Sequence, residues 1–311
     1  MADFIKVSEM VSDLGLEVLH GDETSLQRHI TTSEITRPGL ELSGYLDYFA
    51  SERMLMFGVK EITYIHDMSK EQRLSATRNI FTEETPAIII ARNLVPDEAM
   101  VITASEKNIP ILRSPVSTSR LIGGIASYLD ERLAQRTSIH GVFMDVYGLG
   151  VLIQGDSGIG KSETGLELIK RGHRLIADDR VDVYKKDELT VIGETPKILE
   201  HLLEIRGVGI IDVMNLFGAS AVKGATPVQL AIYLEQWTKE KKFDRLGNDT
   251  SSIDIAGVTI PQVRIPVKTG RSLSIIVEAA AMNFRARTMG YDATKTFEER
   301  LTNLIEENSE G

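Results

Sequence analysis

One stretch of sequence decides the fold of this chain: residues 149–162 read LGVLIQGDSGIGKS. Its first half is a short apolar run typical of a buried strand, and its second half matches the pattern G-x-x-x-x-G-K-[S/T]. Residues 162–171 continue with Leu166 and Ile169 at helical spacing, and Gly172 is suited to end that helix. A strand, a glycine-rich loop and a helix in this order predict a P-loop within an α/β domain.

The predicted phosphate-binding residues are those of the loop and the first helical turn. They are Gly155, Asp156, Ser157, Gly158, Ile159, Gly160, Lys161 and Ser162. Glycines allow successive backbone N–H groups to converge on phosphate oxygens, and the helix N-terminus adds positive potential. Lys161 can reach the outer phosphates, and the Ser162 hydroxyl can bind Mg²⁺. The loop therefore predicts binding of a nucleoside triphosphate with magnesium and transfer of its phosphoryl group.

Composition narrows the class of protein. The chain has 311 residues, of which 42% are hydrophobic and 26% charged, which is typical of a globular protein and long enough for two domains. It has no cysteine, so disulfides and thiolate metal sites are excluded. A net charge of −10 argues against broad affinity for nucleic acid. Without a signal-like start or an apolar run of about 18 residues, we expect a cytoplasmic protein outside the membrane.

The first part of the chain predicts a small α/β domain. Short apolar runs, interpreted as strands, alternate there with polar stretches typical of helices. The runs cover residues 61–64, 87–91, 100–103 and 109–112. Residues 117–134 have the apolar spacing of a helix, which we place at the domain junction. We therefore expect an N-terminal α/β domain over 1–130, serving regulation or assembly, and a P-loop catalytic domain over 131–311.

The second part is predicted to open with strand-like sequence over 138–147 and to end in a helix. Near the C-terminus, apolar residues repeat at helical spacing among many acids, which favours a helix packed through its apolar face. They are Phe297, Leu301, Leu304 and Ile305.

Two acidic residues follow the next predicted strand, over 174–177. A P-loop protein commonly places a metal-binding or base carboxylate at this point, and Asp178 and Asp179 stand there. A kinase needs one carboxylate near Mg²⁺ and another beside the acceptor hydroxyl. We predict that Asp179 is the base.

Other charged groups are open to two interpretations. Residues 202–212 read LLEIRGVGIID, an apolar run with charges that must either be paired, face a site, or lie on a half-exposed strand and turn. Arginines 245 and 264 and the turn at 266–271 supply cations that can hold phosphate or simply lie at the surface. For His140, its position alone favours a structural role. Two D-x-x-G sequences, at 145–148 and 244–247, have no companion N-K-x-D, so a GTPase is not supported.

Taken together, these motifs resemble those of the HPr kinase/phosphorylase family along the whole chain. The matching segments are Ser138-Ile-His140-Gly141, the P-loop through Glu163, Ala177-Asp-Asp179, the signature over 203–212, Asp244-Arg245-Leu246-Gly247 and the turn Pro266-Val-Lys268-Thr269-Gly-Arg271. The resemblance implies a P-loop kinase domain whose nucleotide site is like that of phosphoenolpyruvate carboxykinase. It also implies two activities: ATP-dependent phosphorylation of a serine on the phosphocarrier protein HPr or close HPr-like paralogues, and reversal by inorganic phosphate with release of pyrophosphate.

The resemblance also implies roles for particular residues. His140, Lys161, Asp179 and Arg245 match catalytic positions, and Ser162 and Glu204 match positions that bind Mg²⁺. The family assigns its signature, here including Leu203, Arg206, Gly207 and Asp212, to both activities. It assigns the turn that contains Pro266, Lys268 and Arg271 mainly to phosphorolysis. Lys268 and Thr269 stand where many relatives carry an arginine-proline pair, a departure that concerns phosphorolysis rather than the kinase reaction.

Family members are cytoplasmic homohexamers of Gram-positive and some other bacteria that act in carbon catabolite control and respond to fructose bisphosphate. The resemblance implies the same for this chain. Two other functions remain open. One is a P-loop kinase of a small metabolite, allied to ATP-dependent phosphoenolpyruvate carboxykinase. The other is a regulator that binds ATP through Lys161 without turnover, while its N-terminal domain contacts a partner.

Overall fold

The chain folds into two compact units, Met1–Ala134 and Gln135–Gly311. The computed structural model describes residues 4–238, 251–268 and 270–309. Both units combine helices with β-sheets, which confirms the predicted α/β class. Along the described chain, no helix is both long enough and apolar enough to cross a bilayer.

The N-terminal unit is built on a five-stranded sheet of order β2-β7-β6-β5-β4, in which β4 to β7 are parallel. Its strands are β1 (Ile5–Lys6), β2 (Glu17–His20), β3 (His29–Ile30), β4 (Ile35–Thr36), β5 (Met54–Phe57), β6 (Ile88–Ile90) and β7 (Ile111–Arg113). Its helices are α1 (Val7–Leu14), α2 (Val59–His66), α3 (Lys70–Ile80), α4 (Glu98–Glu106) and α5 (Thr118–Leu133). Strands β5 and β6 are buried along their whole length, because separate apolar clusters cover the two faces of the sheet.

Two of the four apolar runs interpreted as strands are helices. Residues 61–64 lie in α2 and residues 100–103 lie in α4. In α4 the buried residues Ala99, Met100, Thr103 and Ala104 follow the spacing of one helical face, so the short run was the inner side of a helix. The strands expected at 87–91 and 109–112 are confirmed as β6 and β7, and the junction helix is confirmed as α5.

The C-terminal unit has two larger sheets and a small hairpin. Its strands are β8 (Arg136–His140), β9 (Val142–Val146), β10 (Leu149–Gly155), β11 (Arg174–Ala177), β12 (Arg180–Asp187), β13 (Thr190–Glu194), β14 (Leu202–Ile205), β15 (Gly209–Asp212), β16 (Ala225–Pro227), β17 (Leu230–Gln236), β18 (Ser251–Ile255) and β19 (Val258–Val267). Its helices are α6 (Lys161–Lys170), α7 (Val213–Phe217), α8 (Leu273–Thr288) and α9 (Ala293–Ser309). The six-stranded sheet has the order β11-β9-β10-β17-β19-β18, the four-stranded sheet β16-β13-β12-β8, and β14 pairs with β15.

Two apolar layers enclose the six-stranded sheet. One layer packs its strands against α6 and α8, through residues such as Ile153, Leu168 and Val277. The other joins it to the four-stranded sheet through residues that include Phe143 and Val183. Because β10 is buried between these layers, its sequence is continuously apolar until it emerges at Gln154. This places the glycine-rich loop at the carboxyl edge of β10, where parallel neighbours β17 and β19 also end.

Two expectations for this unit need correction. The strand-like stretch at 138–147 is two strands, β8 and β9, that belong to different sheets and part at Gly141. The C-terminal helix forms as α9, but its apolar residues do not pack as expected. Phe297, Leu301, Leu304 and Ile305 are 44–56% exposed. Their helical spacing predicted the helix correctly, but it did not predict whether the apolar face of α9 is covered by other parts of the chain.

A buried carboxylate fastens α8 to the end of α6. Glu278 accepts hydrogen bonds of 2.8 and 2.6 Å from the Arg171 guanidinium, and the His173 Nε2 atom lies 2.9 Å from the same carboxylate. Hydrogen bonding from Arg171 is the main cause that lowers the pKa of Glu278 below its usual value. The ionised carboxylate therefore contributes to the stability of this unit.

We expect Glu278→Gln to lower the free energy of unfolding at pH 7 by about 2 kcal/mol, because charge-assisted hydrogen bonds are lost. Since the folded-state pKa of Glu278 is depressed, this contribution is present above the unfolded pKa of about 4.3 and is lost as the pH falls through the lower folded value. Urea unfolding of wild type and variant between pH 7 and 3 measures the difference. The exposed Glu188→Gln is the control, and a difference that stays constant with pH would contradict the assignment.

Candidate active site

The P-loop takes the shape that its glycines permit. Gly155, Gly158 and Gly160 have φ angles of 146°, 81° and 99°, in the left-handed region that side chains disfavour. A Cβ atom on Gly155 would also lie 2.5 Å from the Leu234 carbonyl oxygen of the neighbouring strand. The loop therefore passes close to β17 and turns directly into α6, whose first residue is Lys161. Its backbone is arranged for an anion at the helix N-terminus.

The Lys161 ammonium group is folded back over the loop. Its Nζ atom donates to the carbonyl oxygens of Gly155 at 2.9 Å and of Asp156 at 3.0 Å. These two acceptors hold the cation at the loop rather than in solvent. A phosphate on the loop would meet a positive charge that is already in position.

A buried carboxylate joins three parts of the site. Asp178 is 5% exposed; its Oδ1 atom accepts a hydrogen bond of 3.0 Å from the Ser162 hydroxyl, and its Oδ2 atom accepts one of 2.9 Å from the backbone N–H of Glu204. Burial raises the pKa of Asp178, and the two hydrogen bonds oppose that effect. Asp178 thus connects α6, the end of β11 and strand β14.

The next carboxylate has the opposite environment. Asp179 is 78% exposed and has a left-handed φ of 64°, a conformation uncommon outside glycine but tolerated by aspartate. His140, which is 89% exposed, lies with Nδ1 3.2 Å from the Asp179 carbonyl oxygen and 3.9 Å from its carboxylate. His140 is thus an exposed side chain beside Asp179, and the catalytic role that the resemblance implies for it stays a prediction. Strands β8 and β12, which pair His140 with Arg180, bring the histidine and the exposed acid together.

Part of the P-loop, both aspartates and two residues of the signature line one pocket of about 190 Å³, and His140 is not among its lining residues. Its lining residues are Ser157, Gly158, Gly160, Lys161, Ser162, Glu163, Asp178, Asp179, Glu204 and Arg206. The pocket thus joins the P-loop to both aspartates and to two charged residues of the 203–212 signature. Phosphate-binding backbone, a cation, a buried acid and an exposed acid meet in one cleft, which is an arrangement suited to phosphoryl transfer.

Other predicted site residues lie elsewhere. Leu203 is fully buried in the core, Gly207 shapes a turn, and Asp212 caps α7 by accepting from the Asn215 backbone at 2.9 Å. Pro266, Lys268 and Arg271 do not line the pocket, and the Lys268 ammonium lies 4.9 Å from the centre of the Trp237 ring. Arg245, with the rest of the 244–247 sequence, and Thr269 lie outside the residues that the structure describes.

The central position of Asp178 was missed in the prediction of individual site residues. Sequence placed an acidic pair after a strand, and only the fold shows that one member points into the protein and the other to solvent. A second contact was also missed: the Tyr233 hydroxyl lies 3.5 Å from the Asp156 carboxylate, and Arg264 lies 5.7 Å from the Tyr233 ring centre. No local signal links these positions, because the contact depends on the parallel pairing of β10 with β17.

Family models for two domains match this chain in order. "HPr Serine kinase N terminus" matches residues 5–129, and "HPr Serine kinase C-terminal domain" matches residues 131–301. The chain belongs to the HPr serine kinase family. The resemblance inferred from the motifs is thereby confirmed.

Similar proteins carry names from the same family. A protein of Enterococcus faecalis named HPr kinase/phosphorylase is 65% identical over 309 residues, with 99% of each chain covered. One of the same name from Streptococcus sanguinis is 60% identical over 304 residues, with 98% of each covered. A solved structure titled Hpr(Ser) kinase/phosphatase, from Coxiella burnetii, is 36% identical, with a TM-score of 0.47; the match covers 52% of this chain and 99% of that one.

We expect Gly155→Ala to weaken ATP binding about tenfold or more, because the new Cβ atom must displace either the loop or Leu234 and the backbone conformation is disfavoured. Calorimetric titration with ATP measures the dissociation constant. Gly39→Ala serves as the control, since a Cβ atom added at Gly39 would have no other atom within 4 Å and the φ angle there is not positive. Unchanged affinity in the Gly155 variant would show that the loop does not need this glycine.

Proposed function

We propose that this chain uses ATP to phosphorylate a serine of the phosphocarrier protein HPr, and that it reverses the reaction with inorganic phosphate, releasing pyrophosphate. The observation that carries the proposal is the joint presence of the P-loop, the buried Asp178 and the exposed Asp179 in one pocket. The relatives' name, HPr kinase/phosphorylase, supplies the acceptor and the second direction. The action of this pair of reactions in carbon catabolite control is part of the proposal.

In the kinase direction, Asp179 accepts the proton of the seryl hydroxyl as the serine oxygen attacks the γ-phosphorus of ATP. The new bond joins serine oxygen to phosphorus, and the bond from that phosphorus to the β–γ bridging oxygen breaks, so ADP leaves. An acceptor protein must approach from outside, and the high exposure of Asp179 supports its role as base. Lys161 stabilises charge on the outer phosphate oxygens.

In the reverse direction, an oxygen of inorganic phosphate attacks the phosphorus of phosphoserine. The bond from phosphorus to the serine oxygen breaks, Asp179 returns a proton to that oxygen, and pyrophosphate forms. The same carboxyl group serves as base in one reaction and as acid in the other, because both reactions make or break the bond between the serine oxygen and phosphorus at the same place. His140 contacts the Asp179 carbonyl oxygen through Nδ1 at 3.2 Å. It thereby holds the backbone of Asp179 in place and belongs to the same acid–base site.

The oxygen donors of the pocket fit Mg²⁺, which prefers hard oxygen ligands and shares them with substrate phosphates. We assign Ser162 and Glu204 as ligands, with Asp178 beside them, since its carboxylate already contacts the Ser162 hydroxyl and the Glu204 backbone. Within the described ranges, no group of three or more acidic or histidine side chains is placed to hold a metal ion. When bound, Mg²⁺ neutralises charge on the phosphates.

Further parts of the proposal rest on family resemblance. Arg245 and the cations Lys268 and Arg271 hold phosphate or HPr, with the 266–271 turn serving phosphorolysis. The active form is a cytoplasmic homohexamer, fructose bisphosphate is an effector, and the N-terminal unit serves regulation or assembly. HPr-like paralogues are additional acceptors.

One assay separates this function from a small-metabolite kinase and from a nucleotide-gated regulator. The purified protein is incubated with Mg-ATP and HPr, inorganic phosphate is then added, and phosphoserine and pyrophosphate are measured. We expect phosphoserine to form in the first step, then to disappear as pyrophosphate accumulates. ATP binding without phosphoserine would exclude the proposed kinase activity.

Replacement of Asp179 tests the acid–base role. We expect Asp179→Asn to lower kcat in both directions by about 10²- to 10⁴-fold, the usual contribution of a positioned acid or base, with ATP affinity retained. Asparagine also tolerates the left-handed backbone, so the change isolates the charge. A kinase rate near wild type, with ATP binding verified by titration, would contradict the assignment.

Replacement of Asp178 tests the metal arrangement. We expect Asp178→Asn to weaken Mg²⁺-dependent ATP binding by about 10- to 100-fold, because the partner that orients a ligand is altered. Titration of ATP with Mg²⁺ and with EDTA separates the metal-dependent part. Asp182→Asn, which alters a carboxylate that does not line the pocket, is the control. An equal loss with and without Mg²⁺ would point to a fold defect instead.

A further inference from the structure

The guanidinium group of Arg206 lies across the tip of the P-loop. Its Nη2 atom donates to the Ser157 hydroxyl at 3.1 Å. A Cβ atom on Gly158 would lie 2.6 Å from Arg206 Nη1 and 3.3 Å from Cζ, so the arginine occupies the space that a side chain at 158 would need. The two residues are far apart in sequence, and the contact depends on tertiary structure alone.

The β14–β15 hairpin that carries Arg206 is held in place by core packing and by a hydrogen bond. Leu203 and Ile205, on either side of Glu204, are buried in the core that also contains β10 and α6. The backbone N–H of Glu204 is bound to Asp178 at 2.9 Å. Arg206 therefore leaves strand β14 at a fixed point beside the P-loop, and its own side chain is exposed.

The balance of charge in the pocket indicates a function for Arg206. Among the described residues that line the pocket, Lys161 and Arg206 are cationic, whereas four carry carboxyl groups: Glu163, Asp178, Asp179 and Glu204. Lys161 is held by two carbonyl oxygens of the loop. A phosphate chain in so acidic a pocket is repelled by the carboxylates, and a second side-chain cation beside Lys161 reduces that repulsion in addition to Mg²⁺.

We propose that Arg206 is a phosphate ligand that exchanges its Ser157 partner for oxygens of the phosphoryl group in transfer. In this structure Nη2 donates to the Ser157 hydroxyl. With ATP bound, the guanidinium turns to γ-phosphate oxygens, and in phosphorolysis it binds inorganic phosphate and then pyrophosphate. The planar guanidinium can donate two parallel hydrogen bonds to such oxygens. Arg206 forms no covalent bond, and the bonds made and broken are those of the proposed function, on which this inference rests.

The neutral hydroxyl of Ser157 is a weaker acceptor than a phosphate oxygen, so the exchange favours the bound state. A side chain at 158 would need the space that the guanidinium occupies, and the positive φ of 81° at this residue also favours glycine. The hydrogen bond to Ser157 therefore keeps Arg206 close to the phosphate position. Because Ser157 is neutral, it competes with phosphate for the guanidinium less than an acidic partner would.

The test compares three substitutions by calorimetric titration with Mg-pyrophosphate and Mg-ATP, which needs no HPr, and then by the rates of HPr phosphorylation and phosphorolysis. We expect Arg206→Gln to weaken binding of both at least tenfold and to lower kcat in both directions about 10²-fold, as for loss of one charged donor in a transition state. Arg206→Lys should recover part of the affinity, because it keeps charge but not the planar fork. Ser157→Ala removes the competing acceptor and should tighten pyrophosphate binding about twofold or more.

The exposed Lys186→Gln, which removes one positive charge outside the pocket, is the matched control and should change affinity less than twofold. The inference is overturned if Arg206→Gln binds pyrophosphate like wild type, or if Ser157→Ala loses as much affinity as Arg206→Gln, which would make the arginine a brace for the loop. Thermal unfolding of each variant excludes a fold defect. If wild type fails to phosphorylate HPr yet binds pyrophosphate through Arg206, the proposed function fails and the phosphate ligand stands.

Discussion

The active-site pocket depends on one buried carboxylate. Asp178 lies at the end of a strand, inside the protein, and each of its oxygens accepts a hydrogen bond from a different element. One donor is the first turn of the P-loop helix and the other is the backbone of the signature hairpin. A buried acid without such donors would carry a large desolvation cost. Its burial and its two partners therefore require these elements to meet where they do.

The β-sheets position the remaining residues of the pocket around Asp178. Strand β10 is buried on both faces and delivers the P-loop at its carboxyl edge, while β11 delivers the aspartate pair beside it. The strand pair β8 and β12 then brings His140 to Asp179 from the second sheet. The rigid layers thus carry an exposed acid and histidine to the surface, where a second protein can reach them. Arg206, on the signature hairpin, lies at the same pocket with an exposed side chain.

Sequence predicted the parts of this structure that are coded locally. The P-loop, its helix and the strand before Asp178 were all recognised, because glycine positions and helical spacing are properties of a few adjacent residues. The short runs at 61–64 and 100–103 were misassigned, since four residues cannot distinguish one turn of a buried helix face from a strand. Contacts such as Arg206 with Ser157 could not be predicted, because they arise when a hairpin and a loop that are distant in sequence pack against the same core. The difference in exposure between Asp178 and Asp179 has the same origin, since it depends on which side chain faces inward.

The left-handed backbone at Asp179 restricts how this position can change over evolution. Aspartate and asparagine occupy that conformation more readily than longer or branched side chains, and glycine does so most easily. A glutamate would keep the carboxyl group but would meet a backbone cost and would place its charge one methylene further out. Of the two acidic amino acids, the backbone conformation at residue 179 therefore favours aspartate over glutamate. The backbone conformation at residue 179, as well as the need for an acid, therefore limits which substitutions can be accepted at this position during evolution.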